Sequence, residues 1–363
     1  MSDEVEQLGN LVKGKDENGI ITFVLNHSNN QLVKLRADYQ TKNGKDLIKD
    51  LESNFKDDFK NVLVALFKDP VEYDADLLYN AMKGIGSDKN VITEVLCFRT
   101  PERMNEVKAK FKEKYGKDLV PEIKSETSGD YQKIALALLE GNRGTNSSPD
   151  LENCKKIAKE LYDAGEGKLG TNEEVFIKYF TTLSPEELLL VCKEYHKNHK
   201  KNMLDSIDSE FEGNVKNLLK IILYALYSPS EYFAIQIHNS VVGYGTADDQ
   251  LIRSIISRAD IDMKKIKKYY KKIHNKDMIQ EVNDDLSMEI AEDNKSAYSK
   301  LSLREQQILK LLIDGVPIKD IAEELFISSK TVENHKASIM VKLKCKNMTE
   351  LIRYAISIGL IDV

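Results

Sequence analysis

Tryptophan is absent from this sequence, and its four cysteines are scattered without a Cys-x-x-Cys pair. This usage excludes a disulfide framework and is typical of a reducing compartment, where we expect the thiols to be buried. No apolar run approaches the roughly 18 residues that span a membrane. The first residues are acidic and have no apolar core, so we predict no secretory signal and a cytoplasmic location.

Positive charge is in deficit, because 53 lysines and arginines stand against 59 acidic residues and give a net charge of −6. Such a balance argues against broad, unassisted attraction to nucleic acid or acidic membranes. The 363 residues are long enough for two or more domains, and 41% apolar content is enough for buried cores. No nucleophile–base set, phosphate loop or pair of acids in an apolar cleft stands out, so we expect a binding protein and no enzyme.

Apolar residues recur at helical spacing almost throughout the chain. Val91, Ile92, Val95 and Leu96 show this spacing in one segment, and residues 218–226 show it in another. No alternating apolar and polar stretch indicates a strand. The sequence therefore predicts an all-α fold.

The chain also repeats itself, with units beginning near residues 1, 73, 152 and 232. In each unit the pattern predicts a helix, a glycine-bearing loop, an apolar helix, two amphipathic helices, an acidic loop and a last apolar helix, in that order. We therefore predict four five-helix repeats over residues 1–72, 73–151, 152–231 and 232–287. A looser connector at 141–149 separates the second repeat from the third.

Three glycine loops are each followed by an acid at the same distance. The last glycine of a loop precedes its acid by 40 residues in the pairs Gly86 and Glu126, Gly170 and Glu210, and Gly245 and Asp285. Glycine-rich turns can direct several carbonyls at one point, and a distant carboxylate can complete an oxygen cage. Calcium accepts such ligands, whereas the alternative for any single loop is an ordinary turn.

These loops resemble the repeats of the annexin family over residues 1 to about 287. The segments that carry the resemblance are MKGIGSD at 82–88, GEGKLGT at 165–171 and IISRADID at 255–262. Annexins are four-repeat helical discs that bind acidic phospholipid peripherally through Ca2+, so the resemblance implies the same cofactor and membrane partner. The resemblance implies that each site consists of three backbone carbonyls and one side-chain carboxylate. The implied ligands are Met82, Gly84, Gly86 and the acid Glu126 in repeat two; Gly165, Lys168, Gly170 and the acid Glu210 in repeat three; and Val241, Gly243, Gly245 and the acid Asp285 in repeat four.

The middle residue of each loop is apolar or aromatic: Ile85, Leu169 and Tyr244. A side chain at such a tip can enter lipid headgroups beside a calcium site, and burial is the alternative. We expect lipid contact more strongly for Leu169 than for Ile85.

Two departures from the annexin pattern stand out. Repeat one has Val12 in place of the first glycine and the neutral Asn54 in place of the acid, so we expect its site to be empty. Repeat four continues into a polar segment where the family has a glycine and a last apolar helix. We therefore predict a truncated fourth repeat and a junction over 288–300, as a gene fusion or a chimera would leave.

Residues 301–363 have a different pattern, with four short helices predicted. Ser302 and Glu305 can form a capping box, Pro317 can begin a second helix, and Ser328 or Ser329 can cap a third. Two short helices around a tight turn, with the second one basic, indicate a helix-turn-helix. The segment resembles the LuxR-type DNA-binding domain of bacterial regulators, and the match rests on residues 321–335 and 342–343.

That resemblance implies sequence-specific DNA binding through the third helix. Lysines and Thr331 suit phosphates, Asn334 suits adenine, and Glu333 suits cytosine. The residues that we assign to DNA are Lys330, Thr331, Glu333, Asn334, Lys336 and Lys342. The lysine run at 264–272 has its apolar residues at helical spacing, so we interpret it as a solvated helix face.

The sequence favours a calcium-dependent binder of acidic phospholipid that is fused to a DNA-binding module. One alternative is a calcium-independent cytoskeletal or membrane scaffold with vestigial loops. Another is a transcription regulator whose repeats only tether or oligomerise it, and a homo-oligomer is a further partner to test.

Overall fold

The structure of the protein is a computed structural model. Within the residues that it describes, every regular element is an α-helix, which confirms the predicted all-α class. None of these helices is both long enough and apolar enough to cross a membrane. The structure describes the chain except residues 1, 85, 142, 243–245, 346 and 361–363, and it leaves undescribed the side chains of residues 2 and 287–294.

The first three repeats contain five helices each, as predicted. Repeat one contains α1 (Ser2–Gly14), α2 (Glu17–Leu25), α3 (Asn29–Asn43), α4 (Leu47–Asn54) and α5 (Asp57–Leu66). Repeat two contains α6 (Pro70–Met82), α7 (Lys89–Phe98), α8 (Pro101–Tyr115), α9 (Leu119–Glu126) and α10 (Gly129–Glu140). Repeat three contains α11 (Leu151–Ala164), α12 (Glu173–Thr182), α13 (Pro185–His199), α14 (Met203–Glu210) and α15 (Gly213–Tyr227).

The fourth repeat is built differently, because its fourth helix does not stop. Repeat four contains α16 (Pro229–Val241), α17 (Asp248–Ile256), α18 (Met263–His274) and α19 (Met278–Ser299). The C-terminal domain follows with α20 (Leu303–Ile313), α21 (Ile318–Glu324), α22 (Ser329–Lys342) and α23 (Met348–Ser357). The segment 288–300, which we expected to be a junction, is thus helical through Ser299.

The third helices of the four repeats end in the same way, on a residue with left-handed backbone. Their φ angles are +65° at Gly44, +67° at Gly116, +59° at Lys200 and +55° at Asn275. Glycine reaches this conformation freely and asparagine tolerates it. The recurrence of the same cap at four sites confirms that the repeats share one local design.

The described chain divides into two compact units, residues 1–237 with 248–270 and residues 238–247 with 271–363. In the first unit, repeats two and three share one core, in which Phe111, Phe176 and Phe180 are completely buried. Repeat one has a separate core around Leu8, Leu32 and further aliphatic residues. The apolar residues at helical spacing are therefore the ones that pack inside.

Charged side chains are also buried within the first unit. Arg253 in α17 donates to Glu94 in α7 at 3.0 Å, and the two side chains are 8% and 1% exposed. The hydroxyl of Tyr232 lies 3.4 Å from the same carboxylate. This pair links repeat four to repeat two, and neither charge has access to water that could replace its partner.

The second unit contains residues 238–247 of repeat four, the last residues of α18, all of α19 and the C-terminal domain. Ile308, Ile321, Val332 and Leu351 are completely buried in one small core. Tyr298 and Ala297, near the end of α19, pack against that core. The long helix is therefore continuous with the domain that follows it.

Candidate calcium loops and candidate nucleic-acid interface

The loop of repeat two connects α6 to α7 and is closed by a hydrogen bond from the Asp88 N–H to the Ala81 carbonyl at 2.7 Å. Gly84 and Gly86 have φ angles of +104° and +83°, which a residue with a Cβ rarely adopts. Both glycines are exposed, and Met82 ends α6 beside them. Ile85 lies outside the described residues, so its predicted lipid contact stays a prediction.

The acid of repeat two is tied to this loop. Glu126 is the last residue of α9, and its carbonyl accepts a hydrogen bond from the Ser87 hydroxyl at 3.0 Å. The two segments are 39 residues apart in the chain. The fold therefore brings together the loop and the acid that the spacing paired.

Repeat three repeats this geometry with closer contact between loop and acid. The Asn172 N–H closes the loop on the Ala164 carbonyl at 2.6 Å, and Gly170 has a φ of +80°. The Thr171 hydroxyl donates to the Glu210 carboxylate at 2.5 Å. Glu210 is the last residue of α14, so its carboxylate lies at the loop.

The beginning of this loop also faces the acid. A Cβ on Gly165 would lie 3.4 Å from the carboxyl carbon of Glu210, so the absence of a side chain keeps that space open. The Gly165 carbonyl accepts a hydrogen bond from the Lys168 N–H at 3.1 Å, which leaves it one lone pair for another ligand. Leu169 is fully exposed at the tip of the loop.

The loop of repeat four is described only at its ends. Val241 ends α16 and is buried, and the Ala247 N–H donates to the Ser240 carbonyl at 2.8 Å. Gly243, Tyr244 and Gly245 lie outside the described residues, so their predicted roles stay predictions. The Thr246 hydroxyl donates to Asp285 at 2.6 Å, but Asp285 lies inside α19 and is 8% exposed.

Repeat one lacks the corresponding loop. Its first helix continues through Gly14, and the Asp16 N–H bonds back to the Leu11 carbonyl at 3.1 Å. The side-chain amide of Asn54 donates to the Asp50 carbonyl of its own helix at 2.8 Å. Asn54 is thus engaged within its own helix, and the expectation that this site is empty stays a prediction.

The residues present fit calcium in repeats two and three. Each of these loops offers exposed glycine-rich backbone and one carboxylate, the ligand mixture that calcium accepts. No group of three or more histidine, cysteine or acidic side chains that could hold a metal occurs among the residues described. Such a group is the usual arrangement for transition metals, whereas a calcium loop built from carbonyls does not need one.

Sequence reasoning missed the hydroxyl that joins each loop to its acid. Ser87, Thr171 and Thr246 each follow the last glycine of their loop, and each donates to the residue 39 positions later. The signal was available, because a hydroxyl residue occupies the same place in all three loops.

In the C-terminal domain, α21, a short turn and α22 form the predicted helix-turn-helix. The Ser302–Glu305 capping box is present, and the Ser328 hydroxyl accepts the Thr331 N–H at 3.1 Å at the start of α22. Phe326 lies in the turn with a φ of +52° and is 94% exposed. The local capping signals in the sequence therefore placed these helices correctly.

One face of α22 is open. Lys330, Glu333 and Asn334 are exposed, and Thr331 and Lys336 are half-buried. The ammonium of Lys330 lies 3.4 Å from Glu333 within this face. These side chains are the ones on α22 that are accessible to a nucleic acid.

Lys342, which we assigned to a DNA phosphate, forms an ion pair within the domain, and its contact with DNA stays a prediction. Its ammonium donates to both carboxylate oxygens of Glu305, at 2.8 and 2.7 Å, and Ser338 donates at 2.7 Å. Glu305 is 4% exposed, and the hydrogen bond from Lys342 is the largest cause that lowers the pKa of Glu305 to about 2. The lysine therefore neutralises a buried acid in the core of the domain.

Comparison with known proteins agrees with this division of the chain. The annexin family model matches residues 4–66, 73–138, 156–222 and 232–292. The model described as bacterial regulatory proteins, luxR family, matches residues 299–355. Four repeats and a LuxR-type domain are thereby confirmed.

Individual relatives match the repeat region. Annexin A7 of Homo sapiens is 34% identical over 290 residues, which cover 80% of this chain and 58% of that protein. Annexin A1 of Sus scrofa is 36% identical over 274 residues, which cover 76% of this chain and 79% of that protein. The chain thus spans little more than half the length of the annexin A7 that it matches.

Solved structures have the same fold. The structure of annexin III covers 78% of this chain and 89% of its own, with a TM-score of 0.74 and 31% identity. The structure of calcium-bound annexin (Sm)1 covers 78% of this chain and 85% of its own, with a TM-score of 0.67 and 28% identity. This chain belongs to the annexin family and carries a C-terminal domain of the luxR family of bacterial regulatory proteins.

Proposed function

We propose that this protein binds acidic phospholipid membranes peripherally in a calcium-dependent manner, through the loops of repeats two and three. The observation that carries the proposal is the contact between loop and acid, which is closest where Thr171 meets Glu210 at 2.5 Å. A related structure, that of annexin (Sm)1, is calcium-bound. We further propose that the chain acts by binding and catalyses no reaction.

The ligands in repeat two are the carbonyls of Met82, Gly84 and Gly86 with the carboxylate of Glu126. In repeat three they are the carbonyls of Gly165, Lys168 and Gly170 with the carboxylate of Glu210. Calcium, when bound, supplies positive charge and open coordination positions that accept lipid phosphate oxygens. In each of the two loops, the residues of the protein keep the backbone open, present one anionic ligand and leave the tip exposed.

The charge of the chain explains why such a device is needed. A protein with a net charge of −6 is repelled by an acidic surface. Leu169 is fully exposed at the loop that faces outward, so it can add apolar contact with lipid. Repeat four contributes least, because Asp285 is buried within a helix.

Co-sedimentation with acidic vesicles tests the proposal. We expect the full chain to pellet with vesicles in calcium and to stay in the supernatant with chelator or with neutral vesicles. Equal pelleting with acidic vesicles in calcium and in chelator would instead support the calcium-independent scaffold.

We also propose that the LuxR-type domain binds duplex DNA in a sequence-specific manner, with the exposed face of α22 against base edges. Asn334 can pair with adenine and Glu333 can accept from cytosine, and both are exposed. Selection from a random pool of duplexes tests this role. We expect one enriched motif, and Asn334→Ala should relax one base position by roughly 1–3 kcal/mol; a pool without enrichment would leave the domain as a tether or an oligomerisation module.

A further inference from the structure

The third helix of repeat four differs in charge from the third helices of the other repeats. α18 carries six lysines and no acid. By contrast, α8 mixes five basic residues with three acids, and α13 has two lysines and three glutamates. In α3, two lysines and one arginine accompany one aspartate. Since these helices share one place in the repeat, the fold itself does not require the lysines.

All six lysines of α18 are exposed. Among the residues described, no ion pair and no side-chain hydrogen bond involves Lys264, Lys267, Lys268 or Lys271. Lys264 and Lys268 are four residues apart, as are Lys267 and Lys271. Like charges at that spacing repel and destabilise the helix, so this surface lowers stability unless an anion covers it.

An acidic membrane fits this helix poorly. Helices that lie in a membrane interface insert an apolar face beside their lysines. In α18, Ile266 and Tyr270 are completely buried in the protein. Ile273 is 40% exposed near the end of the helix, but this is too little apolar surface for insertion. The exposed side therefore offers mainly charge, and a polyanion of high charge density is the better match.

The LuxR-type domain needs additional positive charge if it is to hold DNA. Residues 301–363 contain nine lysines and arginines against eight acids. Lys342 is bound to Glu305, and Lys330 lies beside Glu333. Few free cations are thus left on α22 for phosphates, which normally supply much of the affinity for DNA.

We propose that the exposed lysine face of α18, formed by Lys264, Lys265, Lys267, Lys268 and Lys271, binds the phosphate backbone of duplex DNA without reading its sequence. This inference rests in part on the proposed DNA-binding role of the LuxR-type domain. Only one helix, α19, separates α18 from that domain in the chain. A second contact on the same chain raises the effective concentration of DNA at the first.

Paired substitutions on two corresponding helices test the proposal in the full chain. One variant combines Lys264→Gln with Lys268→Gln in α18. The control combines Lys193→Gln with Lys197→Gln in α13, where the two lysines are exposed, four residues apart and in the third helix of repeat three. Both variants remove the same net charge, so a general field effect changes them equally.

Binding to a labelled duplex of arbitrary sequence is measured in chelator over a series of salt concentrations. Each phosphate contact contributes about 0.9 to the slope of log affinity against log salt. We expect the α18 variant to lose about 1.8 from that slope and the α13 control to keep the slope of the wild type. Circular dichroism melting of both variants checks that the fold is kept.

Four outcomes would overturn the inference. Equal slopes for the α18 variant and the wild type, or equal losses in the two variants, would remove the specific role of α18; the proposed role of the LuxR-type domain would stand if Asn334→Ala still relaxed the selected motif. A wild-type protein that binds no duplex at low salt would contradict both the inference about α18 and the proposed DNA-binding role of the LuxR-type domain. Loss of chelator-resistant binding to acidic vesicles, with DNA binding intact, would make the face a lipid surface.

Discussion

The fourth helix of a repeat stops at its acid in repeats two and three but runs past it in repeat four. Glu126 and Glu210 end α9 and α14, and both are half-buried beside their loops. Asp285 lies within α19, which continues to Ser299, and it is 8% exposed. One pattern in the sequence thus gives two different environments for the acid.

A single backbone position accounts for the difference. Three residues after the acid, Gly129 and Gly213 have φ angles of +61° and +59°, and Asp57 of repeat one has +52°. A left-handed residue at this place ends one helix and starts the next. Glycine adopts that conformation freely and the short polar side chain of aspartate tolerates it, but Met288 of repeat four would lose roughly 1–2 kcal/mol there, so the helix continues.

The largest effect should come from weakening the domain against which α19 packs. Lys342→Gln leaves the buried Glu305 without its cation, and we expect the free energy of unfolding of the second unit to fall by about 2 kcal/mol. Urea unfolding followed by circular dichroism would show an earlier transition for this unit only. Lys336→Gln on the same helix is the control, and an equal loss there would show that the ion pair contributes nothing of its own.

The same pair predicts a pH dependence. The folded-state pKa of Glu305 is lowered to about 2, whereas an unfolded glutamate has a pKa near 4.3. The stabilisation is therefore complete above about pH 4.5 and is lost as the pH falls toward about 2. Glu305→Gln should flatten this part of the stability curve of the second unit, and an unchanged acid limb would contradict the assignment.

The next largest effect concerns the acids that end their helices. Glu126→Gln or Glu210→Gln removes the one anionic ligand of a loop and leaves the helices intact. We expect the calcium needed for half-maximal vesicle binding to rise by about tenfold or more. Asn54→Ala is the matched control at the degraded site, and similar titrations for Asn54→Ala and Glu126→Gln would refute the distinction between the loops.

Met288→Gly should make repeat four more like its neighbours. Glycine inside a helix costs about 1 kcal/mol relative to alanine and permits the left-handed break. We expect a small loss of helical signal and a second unit that is less stable by about 1 kcal/mol. Met288→Ala keeps the helix and serves as the control; equal stability of the two variants would mean that this position does not decide where α19 ends.

The smallest effect should be that of Asp285→Asn. Because Asp285 is buried in α19 and bonded to Thr246, its loss should change the calcium requirement by no more than roughly twofold. In the Met288→Gly background, the same substitution should have a larger effect. Identical effects in both backgrounds would break the link between helix continuity and the fourth site.

The repeated elements could be predicted from the sequence because local rules and tertiary contacts agree in them. Glycines at 84, 86 and 170 have the left-handed backbone that the loops require, and Ser302 and Ser328 cap the helices that they were expected to begin. The pairing of Glu126 and Glu210 with their loops followed from one spacing. Such signals need only the chain itself.

The sequence alone could not predict contacts that form when residues from distant segments are buried together. Lys342 appears in the sequence as one of several lysines on a basic helix, and only the packing of α20 against α22 places Glu305 beside it. The unbroken course of α19 could have been predicted only from the fact that a break at position 288 requires a residue with left-handed backbone. We interpreted the loss of glycine there as a truncated repeat, whereas the helix continues instead.

The ion pair between Glu94 and Arg253 has a consequence for the order in which the chain can fold. The two residues are 159 positions apart, and Glu94 is 1% exposed. At synthesis rates of about 5–20 residues per second, Arg253 leaves the ribosome roughly 8–30 seconds after Glu94. Repeat two therefore completes this buried contact only after the fourth repeat has been made, because Glu94 lacks its guanidinium partner until then.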